Sequence, residues 1–132
     1  MNITWKYVKP TTKEKINSVL EESPIKLPSE LQELILSNNN GRPSLNIFDT
    51  EVSQGHVFKK LLSFNQEDLE NIYDAIEALK AEKNYLFPFA SDPAGNFICV
   101  DASGTIVYWQ HETSSVEKIA STTSKFLGKL HN

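Results

Sequence analysis

The chain has 132 residues, 39% of them hydrophobic and 23% charged, a balance that suits one domain with a buried core and excludes a disordered or membrane-embedded chain. Seventeen Asp and Glu against 13 Lys and Arg leave a formal net charge of −4. No run of basic residues offers a phosphate track, so direct nucleic-acid binding is not expected; a basic partner fits better, and modest negative charge also serves solubility alone.

No apolar segment reaches the length of a signal peptide or a membrane span, which predicts one domain over residues 1–132, cytoplasmic and without a membrane partner. Thr11-Thr12-Lys13-Glu14 resembles a capping box, with Thr11 accepting from first-turn amides and Glu14 reaching back. Ile16, Val19 and Leu20 follow at helical spacing, so a helix is expected over about Thr12 to Glu22, ended by Ser23-Pro24. A second begins at Leu27-Pro28, where the missing proline N–H is harmless, buries Leu31, Leu34 and Ile35, and stops in Asn38-Asn39-Asn40-Gly41.

Leu45 to Phe48 and Val57 to Leu62 read as short strands on either side of the polar segment Asp49 to His56. Leu69, Ile72, Tyr73, Ile76 and Leu79 then mark one face of a long helix begun after Ser63 or Asn65. Glu67 and Asp68 would sit in its first turn and Lys80 and Lys83 near its end, as the helix dipole favours.

The densest apolar and turn signals lie in Leu86 to His111. Phe97-Ile98-Cys99-Val100 and Ile106-Val107-Tyr108-Trp109 are β-branched and aromatic runs joined by Asp101 to Thr105, where Gly104 accepts a positive φ, so they predict an antiparallel hairpin. Asp92-Pro93-Ala94-Gly95-Asn96 forces a tight reversal before it, behind an extended lead-in from Leu86. Phe97 and Cys99 share one face, Ile98 and Val100 the other, and both sets are apolar, so both faces need cover. The expected fold is therefore a single α+β domain with a mostly antiparallel central sheet and helices packed around it. Cys99, the single cysteine, is expected in the core. Val116, Ile119 and Ala120 can open a last helix behind Ser114, with Phe126, Leu127 and Leu130 facing inward.

Leu86-Phe87-Pro88-Phe89-Ala90-Ser91-Asp92, followed by Gly95-Asn96-Phe97-Ile98-Cys99-Val100-Asp101, resembles the central signature of the SUKH superfamily. Leu27-Pro28-Ser29-Glu30-Leu31, Asn40-Gly41, Val107 to Glu112, and Ile119-Ala120-Ser121 with Phe126-Leu127 fall in the order of that family's other motifs, over roughly residues 27 to 127. Arg42-Pro43 and Thr123 depart from the pattern, where a second glycine and an aromatic are common. The resemblance implies an extended Lys118-Ile119-Ala120 and a last helix capped at Ser121, so strand and helix both remain open there. It also implies either a bacterial immunity protein that binds and neutralises a cognate toxin domain, many such toxins being nucleases with basic sites, or a regulatory module like the fungal cell-wall members.

Chemistry is hard to find in the residues. His56, His111 and His131 stand at no metal-binding spacing, and no nucleophile elbow, phosphate loop or His-Glu-x-x-His helix occurs, so no metal, cofactor or catalytic residue is assigned. Asp101 could support His111 as a general base if the two share a sheet end, against the simpler reading of a polar pair opening a loop. Binding residues are the remaining candidates. Glu70, Asp74 and Glu77 at i, i+4 and i+7 would form an acidic helix face for a basic partner, or an ordinary solvated one. Asp92 could contact a ligand or only form its turn, His111 closes the strand, and Tyr108 and Trp109 point to opposite faces, so one could anchor a partner although core packing suits both.

Overall fold

A computed structural model of the chain describes residues 2–81 and 85–132. Its elements run β1 (Trp5–Lys6), α1 (Lys13–Glu21), α2 (Ser29–Asn38), β2 (Arg42–Pro43), β3 (Ile47–Phe48), β4 (His56–Val57), β5 (Lys60–Leu61), α3 (Ile72–Lys80), β6 (Phe87–Ser91), β7 (Phe97–Val100), β8 (Ile106–Gln110), β9 (Ser115–Ala120) and α4 (Thr123–Lys129). Strands β5 to β9 form one antiparallel meander in chain order, and β1 with β2 and β3 with β4 make two short ribbons. This is the α+β arrangement expected.

The hairpin pairs Phe97 with Trp109 and Val100 with Ile106, and Gly104 adopts φ +87° in its turn. The lead-in from Leu86 is itself a strand, β6, because its backbone completes the hydrogen-bonding edge of β7. Phe89 is the extra residue of a bulge in β6, and Ile119 of another in β9; both side chains are buried in the main core. The ambiguous Ile119-Ala120 is thus strand, since β9 pairs the outer edge of β8.

Both faces of the hairpin are covered. Ile98, Val100, Ile106 and Tyr108 join Ile16, Leu31, Ile35, Ile72, Phe126 and their neighbours in the main core, while Cys99, Val107 and Trp109 pack with Leu79 of α3 on the other face. Phe97 stacks on Trp109 there at 5.8 Å. Phe126 of α4 meets the rings of Phe48, Phe58 and Phe89 at 6.4, 5.8 and 6.0 Å, so the last helix plugs the core from above the sheet.

Four local expectations need correction. Thr12, not Thr11, caps α1, its hydroxyl accepting from the Lys15 amide at 3.2 Å, which places Lys15 where a capping box needs Glu. The last helix is capped by Thr122, one residue beyond Ser121. Val57 to Leu62 is not one strand: the Phe58 amide bonds Asn46 and the Lys59 amide bonds Ser91, so the chain crosses from one sheet to another between β4 and β5. The long helix starts only at Ile72. Glu70 sits at φ +53°, Asn71 caps the helix by accepting from the Asp74 amide at 2.9 Å, and Leu69 is 86% exposed. Glu67 and Asp68 therefore lie outside its first turn, and Lys83 falls outside the described residues.

Candidate functional site

The turn between β6 and β7 is built around one buried carboxylate. Asp92, 6% exposed, accepts from the Ala94 and Asn96 amides, both at 2.8 Å, from the Asn96 side-chain amide at 3.0 Å and from the Tyr108 hydroxyl at 2.5 Å. Burial alone would raise its pKa, yet these bonds outweigh it and hold the carboxyl below its usual range. Burial and the adjacent Asp92 push the Tyr108 phenol up to about 12. Tyr108 and Trp109 do point to opposite faces, and both are buried, at 2% and 3%. Asp92 is thus a turn-former whose oxygens are fully used, and neither aromatic offers a surface.

His111 folds over this turn. Its amide donates to the Asn96 side-chain oxygen at 3.0 Å, and its Nε2 lies 3.1 Å from the Ala94 carbonyl oxygen, which can only accept, so that nitrogen carries the proton. A small polar recess of about 180 Å³ opens beside it, lined by Ala94, Asn96, Gln110, His111, Glu112 and Thr113. Asp101 is at the other end of the ribbon. It follows β7, whereas His111 follows the antiparallel β8, which separates the two by roughly a four-residue strand, about 13 Å. The Asp101 carboxylate instead accepts from the Ser103 amide and hydroxyl and the Thr105 amide, holding the Gly104 turn. The imagined acid–base pair does not exist, because neighbouring antiparallel strands end at opposite edges.

The acidic face on α3 is also broken. Asp74 and Glu77 stay on the helix, with Glu77 3.5 Å from Lys80 in an exposed pair. Glu70 leaves it, donating nothing to that face: its carboxylate pairs with Lys59 at 2.8 Å and accepts from the Ser91 hydroxyl at 3.1 Å. Burial opposes its charge, but the Lys59 and Ser91 contacts prevail and lower its pKa.

Two clusters escaped the sequence reading. In the first, the Ser53 hydroxyl donates to Glu117 at 2.5 Å and Thr50 donates to the same oxygen at 2.7 Å, while His56 Nε2 lies 2.7 Å from Ser53 Oγ. With the single Ser53 hydroxyl proton directed at Glu117, the Ser53 oxygen is left to accept from His56 Nε2. The hydrogen bonds from Ser53 and Thr50 lower the Glu117 pKa, keeping it an acceptor. A serine beside a histidine here ties a loop to β9 through Glu117. The partners are 64 residues apart in sequence, so no spacing could reveal them.

In the second cluster, Lys60 is buried at 4% exposure, and desolvation lowers its pKa. Its ammonium donates to Asn40 Oδ1, to the Leu69 carbonyl at 2.9 Å and to the Glu70 carbonyl at 3.4 Å. The alternation Phe58, Lys60, Leu62, with both apolar members fully buried, is the signal that could have placed it inside.

A mainly apolar concavity of about 680 Å³ runs between the end of α1 and α3, lined by Val19, Tyr73, Ile76 and Tyr85 together with Glu22 and Glu77. Cys99 is fully buried and its thiol pushed up by burial. Among the described residues, no three His, Cys, Asp or Glu side chains converge as metal ligands, and no helix is long and apolar enough to cross a membrane.

A five-stranded meander plugged by helices, with its polar clusters spent on holding turns, defines a class of α+β domain built around a rigid sheet. The particular family is evident from the sequence pattern of the SMI1 / KNR4 family (SUKH-1), which matches residues 10–129: the chain belongs to that family. No curated protein matches the chain.

Proposed function

We propose that this chain is an immunity protein that binds a toxin domain stoichiometrically in the cytoplasm and neutralises it by occupying it, without chemistry of its own. One observation supports the reading beyond family membership: three carboxylates that could have served catalysis are each engaged in a structural role. Asp92 holds four donors, Asp101 holds its turn, and Glu117 takes both hydroxyl protons beside His56. A general acid or base needs a free lone pair or proton within reach of substrate, so these groups support binding over turnover.

The test is co-expression with the toxin domain encoded in the neighbouring reading frame. Restored growth together with a one-to-one complex on size-exclusion chromatography supports the proposal. The double variant Asp101→Ala/His111→Ala should protect as well as wild type; loss of protection from a folded variant revives an enzyme. The regulatory reading, favoured by the SMI1 / KNR4 description of the family, predicts no toxin gene beside this one and no rescue.

A further inference from the structure

Positive φ is costly for residues other than glycine, and it clusters where surrounding structure enforces it. Tyr7 at φ 62°, Asn40 at 69° and Glu70 at 53° are three such residues, and all three converge on Lys60. The Lys60 ammonium binds Asn40 and the carbonyls of Leu69 and Glu70, and the Asn40 amide in turn donates to the Tyr7 carbonyl at 2.8 Å. One buried cation thus pins two surface segments. They also touch directly: Lys9 pairs with Asp68 at 3.3 Å, and the Asn65 amide donates to the Pro10 carbonyl at 3.0 Å.

The segments held in this way present apolar side chains to water. Leu69 is 86% exposed, Tyr7 70% and Val8 39%. Beside them, Lys6 lies directly opposite Arg42 in the β1–β2 ribbon, and the Arg42 guanidinium sits 5.7 Å from the centre of the Tyr7 ring. Like charges directly opposite repel, yet among the described residues no ion pair joins either cation to a carboxylate; Asp68 and Glu70 pair with Lys9 and Lys59 instead. The fold therefore strains its backbone to expose an aromatic and two aliphatic residues next to two uncompensated cations, on a chain whose net charge is −4. Tyr and Arg are the residue types that dominate protein interfaces.

We propose that Tyr7, Val8 and Leu69, flanked by Lys6 and Arg42, form the docking face for the toxin domain, and that the segment received there carries an apolar side chain between carboxylates. This rests on the toxin-binding reading and assigns its surface. Lys60 is a positioning residue, setting the face from beneath. A nucleic acid is disfavoured, since two free cations make a short track and the apolar side chains outnumber them. Among the described residues, the charged groups lining the α1–α3 groove are Glu22, Glu77 and Lys80, and none of its lining residues has a positive φ.

Binding of the purified toxin domain is measured by calorimetry for wild type, Tyr7→Ala/Leu69→Ala, Lys6→Glu/Arg42→Glu and, as the groove control, Glu22→Lys/Tyr85→Ala. The first variant should weaken binding by at least about 30-fold, the scale of an interface hot spot, and the second should weaken it and abolish its decline with added salt. The groove control should stay within about threefold of wild type, a difference too small for a hot spot, and melting curves should report all variants folded. Lys60→Met should speed amide exchange in residues 65–71, leave Phe97–Val100 protected, and weaken binding. If wild type fails to bind the toxin domain, the function reading falls and takes the face with it. If wild type binds while both face variants match it, or only the groove control fails, the face is wrong and the function stands. Charge reversal that tightens binding overturns the acidic partner. Wild-type binding to a short DNA duplex at physiological salt that the charge reversal abolishes overturns the protein occupant.

Discussion

Replacing Asp92 with alanine tests how much of this fold hangs on one turn. The carboxylate accepts four hydrogen bonds. Its removal lets the amide of the exposed Ala94 return to water, and the Asn96 side chain keeps its 3.1 Å contact to the Tyr108 oxygen. The Asn96 amide and the Tyr108 hydroxyl proton have no such escape, since both are buried. Two orphaned buried donors at about 1–3 kcal/mol each, together with the lost charge-assisted bonds, give about 3–5 kcal/mol, or roughly 10–20 °C in Tm for a domain of this size. The pH dependence has a definite sign. Asp92 titrates below its ordinary value of 3.8 in the folded protein, so its contribution is complete above that value and disappears as pH falls through the lowered one. Urea unfolding of wild type and Asp92→Ala should therefore show the full gap near neutrality and a closing gap in strong acid. Tyr108→Phe completes a double-mutant cycle, and coupling of at least about 1 kcal/mol is expected for groups in direct contact. A loss under about 1 kcal/mol near neutrality, where a network this buried should give several times that, or strict additivity with Tyr108→Phe, would refute the reasoning.

Phe126→Ala empties the space where three other phenylalanine rings meet a fully buried side chain; urea unfolding should register a loss of about 3–5 kcal/mol, and a near-neutral result would deny α4 its place in the core. The Cys99 thiol, buried and pushed up in pKa, should react with a disulfide reagent only in denaturant, whereas rapid labelling of native protein would contradict the covered second face. His131 donates to the Asn132 carbonyl at 3.2 Å and to the Asp49 carboxylate at 3.0 Å, contacts that raise its pKa above 6.5. Stability from this group is fully present below 6.5 and fades as pH rises through the raised value, so His131→Ala should flatten the melting temperature across that range; an unchanged slope would exclude the pair.

Side-chain chemistry that acts over a few neighbouring residues is legible without coordinates. The Phe97 to Trp109 hairpin follows from β-branched runs around a glycine that must take positive φ, and the two apolar alternations foretell cover on both faces. Asp92 as a turn-former and Cys99 as core follow from the same local logic. The α3 boundary shows where that logic ends. Leu69 matches the helical period, but Lys60, buried nine residues earlier in the chain, needs acceptors and takes the carbonyls of Leu69 and Glu70, so the helix waits for the better cap at Asn71. That displacement moved Glu70 from an acidic helix face to an ion pair with Lys59.

The sheet and the family were legible in the chain alone, because they depend on periodicity and turn geometry written in adjacent residues. Where each charge goes is set by the fold: Asp101 and His111 lie at opposite ends of the hairpin, Ser53 donates to Glu117, and among the described residues no ion pair joins Lys6 or Arg42 to a carboxylate. Electrostatics and hydrogen bonding act through space over a few ångströms, and residues 60 positions apart become neighbours only once the chain has folded.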